Sequence, residues 1–176
     1  MTAGKPLEAA KLKPLILKIL DEHRTMAVAT VRPDGWPQAT IVGYVHDDLT
    51  LYFVVSRESQ KLANLKRDPR ASVAIGHAQP GEESARGLSL ATRVEEIEAV
   101  HEIERLNALV QARYPEVAVF APRHVSCAVL RAQPLFVSLV DEAEGLDQPV
   151  LFKVSDQGEL NFAAADPPGA TPGGRG

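Results

Sequence analysis

Ser56-Arg57-Glu58-Ser59-Gln60-Lys61-Leu62-Ala63-Asn64-Leu65 follows directly on the apolar run Leu49-Thr50-Leu51-Tyr52-Phe53-Val54-Val55. At the serines the hydrophobic period changes from two to that of a helix. A strand that ends in hydroxyls and turns at once into a helix presents unpaired backbone N–H groups beside a lysine, which is what a phosphate needs. A plain serine N-cap on a surface helix accounts for the same residues. The flanking sequence carries the discrimination.

Upstream, Met26-Ala27-Val28-Ala29-Thr30-Val31 and Gln38-Ala39-Thr40-Ile41-Val42-Gly43-Tyr44-Val45 flank Arg32-Pro33-Asp34-Gly35. Proline presets φ at a turn and glycine accepts positive φ, so these runs form a hairpin. A second turn at His46-Asp47-Asp48 leads into the strand that ends at the serines, which makes a three-strand meander. Downstream, Asp68-Pro69-Arg70 closes the short helix and Ala71-Ser72-Val73-Ala74-Ile75-Gly76 starts another strand.

In this order the segments A-T-V-x-P-D-G-x-P, L-x-F-V-x-S-x-x-S-x-K-x-x-N-L and D-P-R-x-S-V-A resemble the pyridoxamine 5′-phosphate oxidase-like family of FMN-binding split β-barrels. The resemblance covers residues 25 to 140 and is sharpest over 26 to 76. It implies a mainly β fold with flanking helices, an antiparallel Greek-key split barrel, and a homodimer with FMN in a groove at the interface. Carried over by position, it places Thr40, Ile41 and Val42 along the isoalloxazine ring, with Val54 and Val55 again in contact with the flavin. Ser56, Ser59, Gln60 and Lys61 fall at the phosphate-binding turn.

The departures bear on the reaction. The oxidases proper have arginine where this chain has Thr40, Arg-Lys where it has Gln60-Lys61, and a substrate-phosphate lysine at about the position of Val45. They close over substrate with an Arg-x-His segment, whereas this chain ends in Pro-Gly-rich sequence. Fewer charge-assisted bonds to phosphate remain, each worth about 1.5–3 kcal/mol. The resemblance therefore implies an FMN-dependent oxidoreductase acting on a small organic substrate, other than pyridoxamine phosphate oxidase itself. It leaves open a deazaflavin-dependent reductase of the same fold and a non-catalytic flavin- or haem-binding protein. No catalytic acid or base can be named.

Composition agrees. The 176 residues are 45% hydrophobic and 24% charged with a net charge of −4, the profile of a globular protein without an electrostatic footprint for nucleic acid. Residues 1–165 read as a single domain and 166–176 as a flexible Pro/Gly-rich tail that cannot bury enough apolar surface to order itself. No run approaches the roughly 18 apolar residues of a membrane span, and no signal peptide is evident, so cytoplasmic residence is the default expectation. The single cysteine, Cys127, lies among strand residues and reads as a small apolar filler. The histidines at 23, 46, 77, 101 and 124 show no metal-ligand spacing, so no metal is expected. No dinucleotide glycine motif follows a strand.

The remaining elements follow from periodicity. Residues 7 to about 21 form an amphipathic helix with its stripe at Leu12, Leu15, Ile16, Ile19 and Leu20, starting near Lys13 or kinked at Pro14. Leu88 to Glu95 alternate as a half-buried strand. From Glu96 to about Arg113 a helical stripe returns, and its acidic residues Glu95, Glu96, Glu98, Glu102 and Glu104 read as a solvated face. Val125 to Leu130 and Leu135 to Val140 read as two strands separated by Pro134, and Val150 to Val154 as a short further one.

Overall fold

Apolar alternation and tight turns combine into one antiparallel sheet that curls into a barrel without closing its last seam. The computed structural model describes residues 9–76, 84–115 and 126–163. The 166–176 tail, His77 and His124 lie outside them. Helix α1 (Ala9–Glu22) leads into strands β1 (Thr25–Val31), β2 (Pro37–Gly43), β3 (Val45–Asp47) and β4 (Thr50–Ser56). Then come α2 (Gln60–Arg67), β5 (Arg70–Gly76), β6 (Arg86–Glu96), α3 (Val100–Arg113), β7 (Cys127–Asp141), β8 (Leu146–Val154) and β9 (Leu160–Phe162). The sheet order is β2-β1-β5-β6-β7-β4-β3, with β8 and then β9 added beside β7, and every pairing is antiparallel.

Register explains the two faces of the barrel wall. Thr40, Val28, Val73, Leu90 and Val137 lie opposite one another across five strands. From Val28 to Val137 this row is buried in the core. One residue along, Ile41, Ala27, Ala74, Ser89 and Ser138 form the matching outward row. Because strand side chains alternate with period two, the outward row is uniformly small apart from Ile41, which is 68% exposed.

Pro14 does not delay the first helix: α1 begins at Ala9 and runs through it. Leu12, Ile16, Ile19 and Leu20 are all buried in the main core. At about 1.5–3 kcal/mol per buried side chain, that stripe outweighs the roughly 3 kcal/mol cost of an internal proline. The first hairpin is as expected: Gly35 at φ 85° closes the turn, its N–H donating to Arg32 O at 2.9 Å.

Four boundaries differ from the sequence reading. The second turn falls one step later, at Asp48 and Leu49, because Val45–Asp47 pair with Thr50–Tyr52 as a strand of their own. The helix expected from Glu96 begins at Val100. Glu96 still pairs with Leu130, and Ile97 N–H donates to Val129 O at 2.9 Å, so strand geometry continues past the acidic pair. The two strands expected around Pro134 are one. Thr92 faces Pro134 while Ala91 faces Phe136, so Leu135 is an extra residue and the proline sits at a bulge, where a missing N–H is tolerated. Finally, β8 is longer than expected and pairs with a β9 that the sequence did not suggest.

Candidate functional site

The barrel is split between β2 and β4. The two strands come near each other without pairing. Among the described residues β2 pairs only with β1, and β3 covers β4 only from Thr50 to Tyr52. The edge of β2 and the far half of β4 therefore carry backbone donors and acceptors without a strand partner. Helix α2 starts where β4 ends and packs against β1, β4 and β6. The seam thus joins an open strand edge to a helix N-terminus.

Ser59 caps α2, its Oγ accepting from Leu62 N–H at 3.2 Å, and Ser56 Oγ accepts from Glu58 N–H at 3.2 Å. Each hydroxyl keeps its own proton to donate. The basic residues around the helix fall into two kinds. Arg57 lies 2.7 Å from Glu96, which Lys66 also approaches at 3.6 Å. Arg67 donates to the carbonyls of Val31 and Arg32, and Arg70 grips Asp68. Arg57 is therefore engaged elsewhere and does not restore the charge that Gln60 lacks. Only Lys61, among these five, has no partner in the described residues. It is half-buried, and burial pushes its pKa below the usual lysine value. A desolvated cation without a counter-charge is costly unless something anionic completes it.

On β2 the alternation divides the expected ring-lining residues. Thr40 and Val42 share the inward face with Gln38, whereas Ile41 points outward. Thr40 Oγ1 is buried without a hydrogen-bond partner, which is unusual for a native hydroxyl. Val55 belongs to the main core, and Val54 packs on a second cluster beneath α3. Past Tyr52, what β4 offers a ligand is backbone and the Ser56 hydroxyl. Val45 is buried in that second cluster, so it gives the seam no side chain. Cys127 is half-buried at the start of β7, opposite Ser56, rather than in the core.

Sequence reasoning missed Asn64. Its side chain is completely buried, and its Nδ2 donates to Thr30 Oγ1 at 3.0 Å and Gln38 Oε1 at 3.2 Å. Its Oδ1 accepts from Gln60 Nε2 at 2.9 Å. The available signal was an amide set between Leu62 and Leu65 on the buried side of a short helix.

Outside the seam, a groove of about 610 Å³ runs along the outward sheet face past Ala29, Val31, Ser72, Leu135 and Phe136. Among the described residues no group of three His, Cys, Asp or Glu could hold a metal ion, and no helix is long and apolar enough to cross a membrane.

The comparisons with known proteins agree with this architecture. A putative pyridoxamine 5′-phosphate oxidase from Listeria innocua superposes with a TM-score of 0.58 at 26% identity, over 73% of this chain and 97% of that one. A pyridoxamine 5′-phosphate oxidase-related, FMN-binding protein from Nostoc punctiforme shares the fold at a TM-score of 0.64 and 14% identity, over 93% and 100%. So does HutZ, the haem storage protein of Vibrio cholerae, at 0.60 and 18%, over 86% and 96%. In sequence, general stress protein 26 of Bacillus subtilis (strain 168) is 30% identical over 66 residues, 38% of this chain and about half the length of that relative, 46%. Residues 12–147 match the family described as pyridoxamine 5′-phosphate oxidase. With most of the chain matched and the split barrel in place, this protein belongs to the pyridoxamine 5′-phosphate oxidase family.

Proposed function

We propose that this protein is a flavoprotein that binds FMN at the β2–β4 seam of a homodimer and serves electron or hydride transfer to a small organic acceptor. The observation that carries the reading is Lys61: a half-buried ammonium without a counter-charge among the described residues, at the N-terminus of α2. Lys61, the Ser56 and Ser59 hydroxyls, Gln60 and the first N–H groups of α2 would hold the phosphate. The Thr40 hydroxyl and the open backbone edges at Thr40–Val42 and Val54–Val55 would take the polar rim of the ring. Bound FMN supplies the redox chemistry; the protein supplies position, electrostatics and exclusion of water.

The charge balance favours FMN over a deazaflavin with a longer anionic tail. Arg57, Lys66, Arg67 and Arg70 are already engaged, which leaves one cation at the turn for one phosphate. Haem is less well served. Of the described histidines, His46 has Asp48 O 2.9 Å from Nδ1 and Asp21 Oδ1 3.1 Å from Nε2, His23 is tied to Ile19 O, and His101 stands exposed on α3. Pyridoxamine phosphate is an unsuitable substrate in this reading, since Val45, at about the position where the resemblance sets the oxidases' lysine, is packed beneath α3.

Reconstitution tests the proposal. Purified protein titrated with FMN is expected to bind one flavin per chain with a perturbed flavin spectrum. It should bind riboflavin, which lacks the phosphate, more weakly. A Soret band with haem and no response to FMN would replace this reading by the storage alternative. Flavin binding with no turnover on any reductant and acceptor pair would reduce the protein to a flavin carrier.

A further inference from the structure

We infer that Asn64 is the positioning residue of this site: its buried amide holds the phosphate-binding turn of α2 in register with the ring-lining strand β2, so that both ends of one cofactor are engaged together. The inference rests on the FMN reading above. Asn64 and Lys61 are three residues apart on α2 and share a helix face. Gln38 and Thr40 are two apart on β2 and share its inward face. The hydrogen bond from Asn64 to Gln38 at 3.2 Å therefore ties together the stretches of α2 and β2 that carry Lys61 and Thr40. The bond to Thr30 adds β1 to the same tie, and the bond from Gln60 orders the first turn of the helix.

An apolar residue would dock α2 at least as strongly, since Leu62 and Leu65 on either side already do so. A buried amide is worth having only where direction matters, because an amide that is not fully bonded is penalised. The far end of α2 has its own anchor in Arg67, which donates to Val31 O at 3.2 Å and Arg32 O at 2.8 Å. Without Asn64 the helix stays docked by Leu62 and Leu65 and anchored by Arg67, while the turn that carries Lys61 loses its directional tie to β2.

The experiment titrates FMN and riboflavin into wild type, Asn64→Ala, Lys61→Ala and the double variant, with melting temperatures alongside. Asn64→Ala is expected to weaken FMN by about tenfold or more, since a second contact adds affinity only when it is held at the right span. Riboflavin, which uses the ring half alone, should change less than about twofold, and the further loss caused by Lys61→Ala should largely vanish in the Asn64→Ala background. Equal losses for the two ligands, with the Lys61 effect intact, would make Asn64 a fold residue only and overturn the inference. If Asn64→Ala does not fold, Gln38→Ala cuts the β2 tie while leaving the bond to Thr30. It should show the same FMN-selective loss, and an unchanged ratio of FMN to riboflavin affinity would overturn the inference equally. Failure of the underlying reading is distinct: wild type would then bind FMN no better than riboflavin, and Lys61→Ala would be silent.

Discussion

Lys61 carries two separate consequences at the scale of the residue. If it meets a phosphate, Lys61→Ala removes one charge-assisted contact, and FMN affinity should fall by about 1.5–3 kcal/mol while riboflavin is unaffected. If it only decorates a helix, alanine, the better helix former, leaves both ligands alone and the melting temperature unchanged or slightly raised. Parallel titrations separate the two. The second consequence is a pH dependence. Burial holds the Lys61 pKa below the usual 10.5, so the folded, ligand-free protein is penalised while the ammonium is charged and relieved as pH rises through that lowered value. A bound phosphate reverses the preference by favouring the ammonium. FMN affinity is therefore expected to decline on the alkaline side before an ordinary lysine would titrate, with riboflavin and the Lys61→Ala variant both flat; a flat wild-type FMN profile would remove Lys61 from the phosphate. Asp68 is lowered too, but by a partner that favours its charged form, so its effect on stability is the reverse. The guanidinium of Arg70, 2.7 Å away, holds its carboxyl at about 2 instead of the ordinary 3.8. Its contribution is present above the unfolded value and lost as pH falls towards about 2. Carboxyl NMR titration should find Asp68 there and see it return towards 3.8 in Arg70→Ala.

At the scale of the element, close backbone approach marks where the sheet tolerates no change. Gly76 ends β5 at φ 149°, and a Cβ there would lie 2.7 Å from Arg86 O and 2.9 Å from Gly87 Cα. Both neighbours are backbone, and neither can rotate away. Gly76→Ala is expected to cost about 1–3 kcal/mol, typical of overpacking against a rigid neighbour, measurable as a lower melting temperature with unchanged FMN affinity. Ala74, two residues earlier on the outward face, gives the contrast within the protomer, since its side chain is exposed there rather than set against the chain's own backbone. The acidic stretch that runs from β6 into α3 also looks different at this scale. Glu95 and Glu102 are paired with Arg131, and Glu96 with Arg57 and Lys66, so part of the solvated face instead ties β6, α3 and β7 together.

For the whole molecule, the outward face is the open question that assembly answers. Ala27, Ala29, Ala39, Ser72, Ala74 and Ala91 make a surface of small residues with Ile41, Val31 and Leu135 exposed on or beside it. Small side chains let a second sheet approach closely, and exposed apolar area of this kind is covered in stable assemblies. We expect a twofold dimer burying more than about 2,000 Å² in total, with Ala29→Glu, at the middle of that face, shifting the protein to monomer and lowering FMN affinity. Light scattering that found a wild-type monomer at full FMN occupancy would defeat this picture.

Local chemistry alone determined the first hairpin, the capped α2, the strand-to-helix junction and the split-barrel resemblance. In each case the deciding forces act between residues a few positions apart: proline and glycine in a turn, a serine on the N–H three residues on, a change of hydrophobic period. Tertiary structure decided the rest, because the relevant partners are distant in sequence. Pairing with β6 makes β7 one strand across Pro134, and pairing with β7 carries β6 through Glu96 where helical spacing had begun. Arg57 and Lys61 look alike as basic residues of one turn. Only the fold sets Glu96 beside Arg57 and leaves Lys61 unpaired among the described residues. Asn64 reads as an ordinary helix residue until β1 and β2 bring Thr30 and Gln38 to its amide. Side-chain charge and period are written in the sequence, but which charge is neutralised and which amide is satisfied depends on contacts that chain closure alone creates.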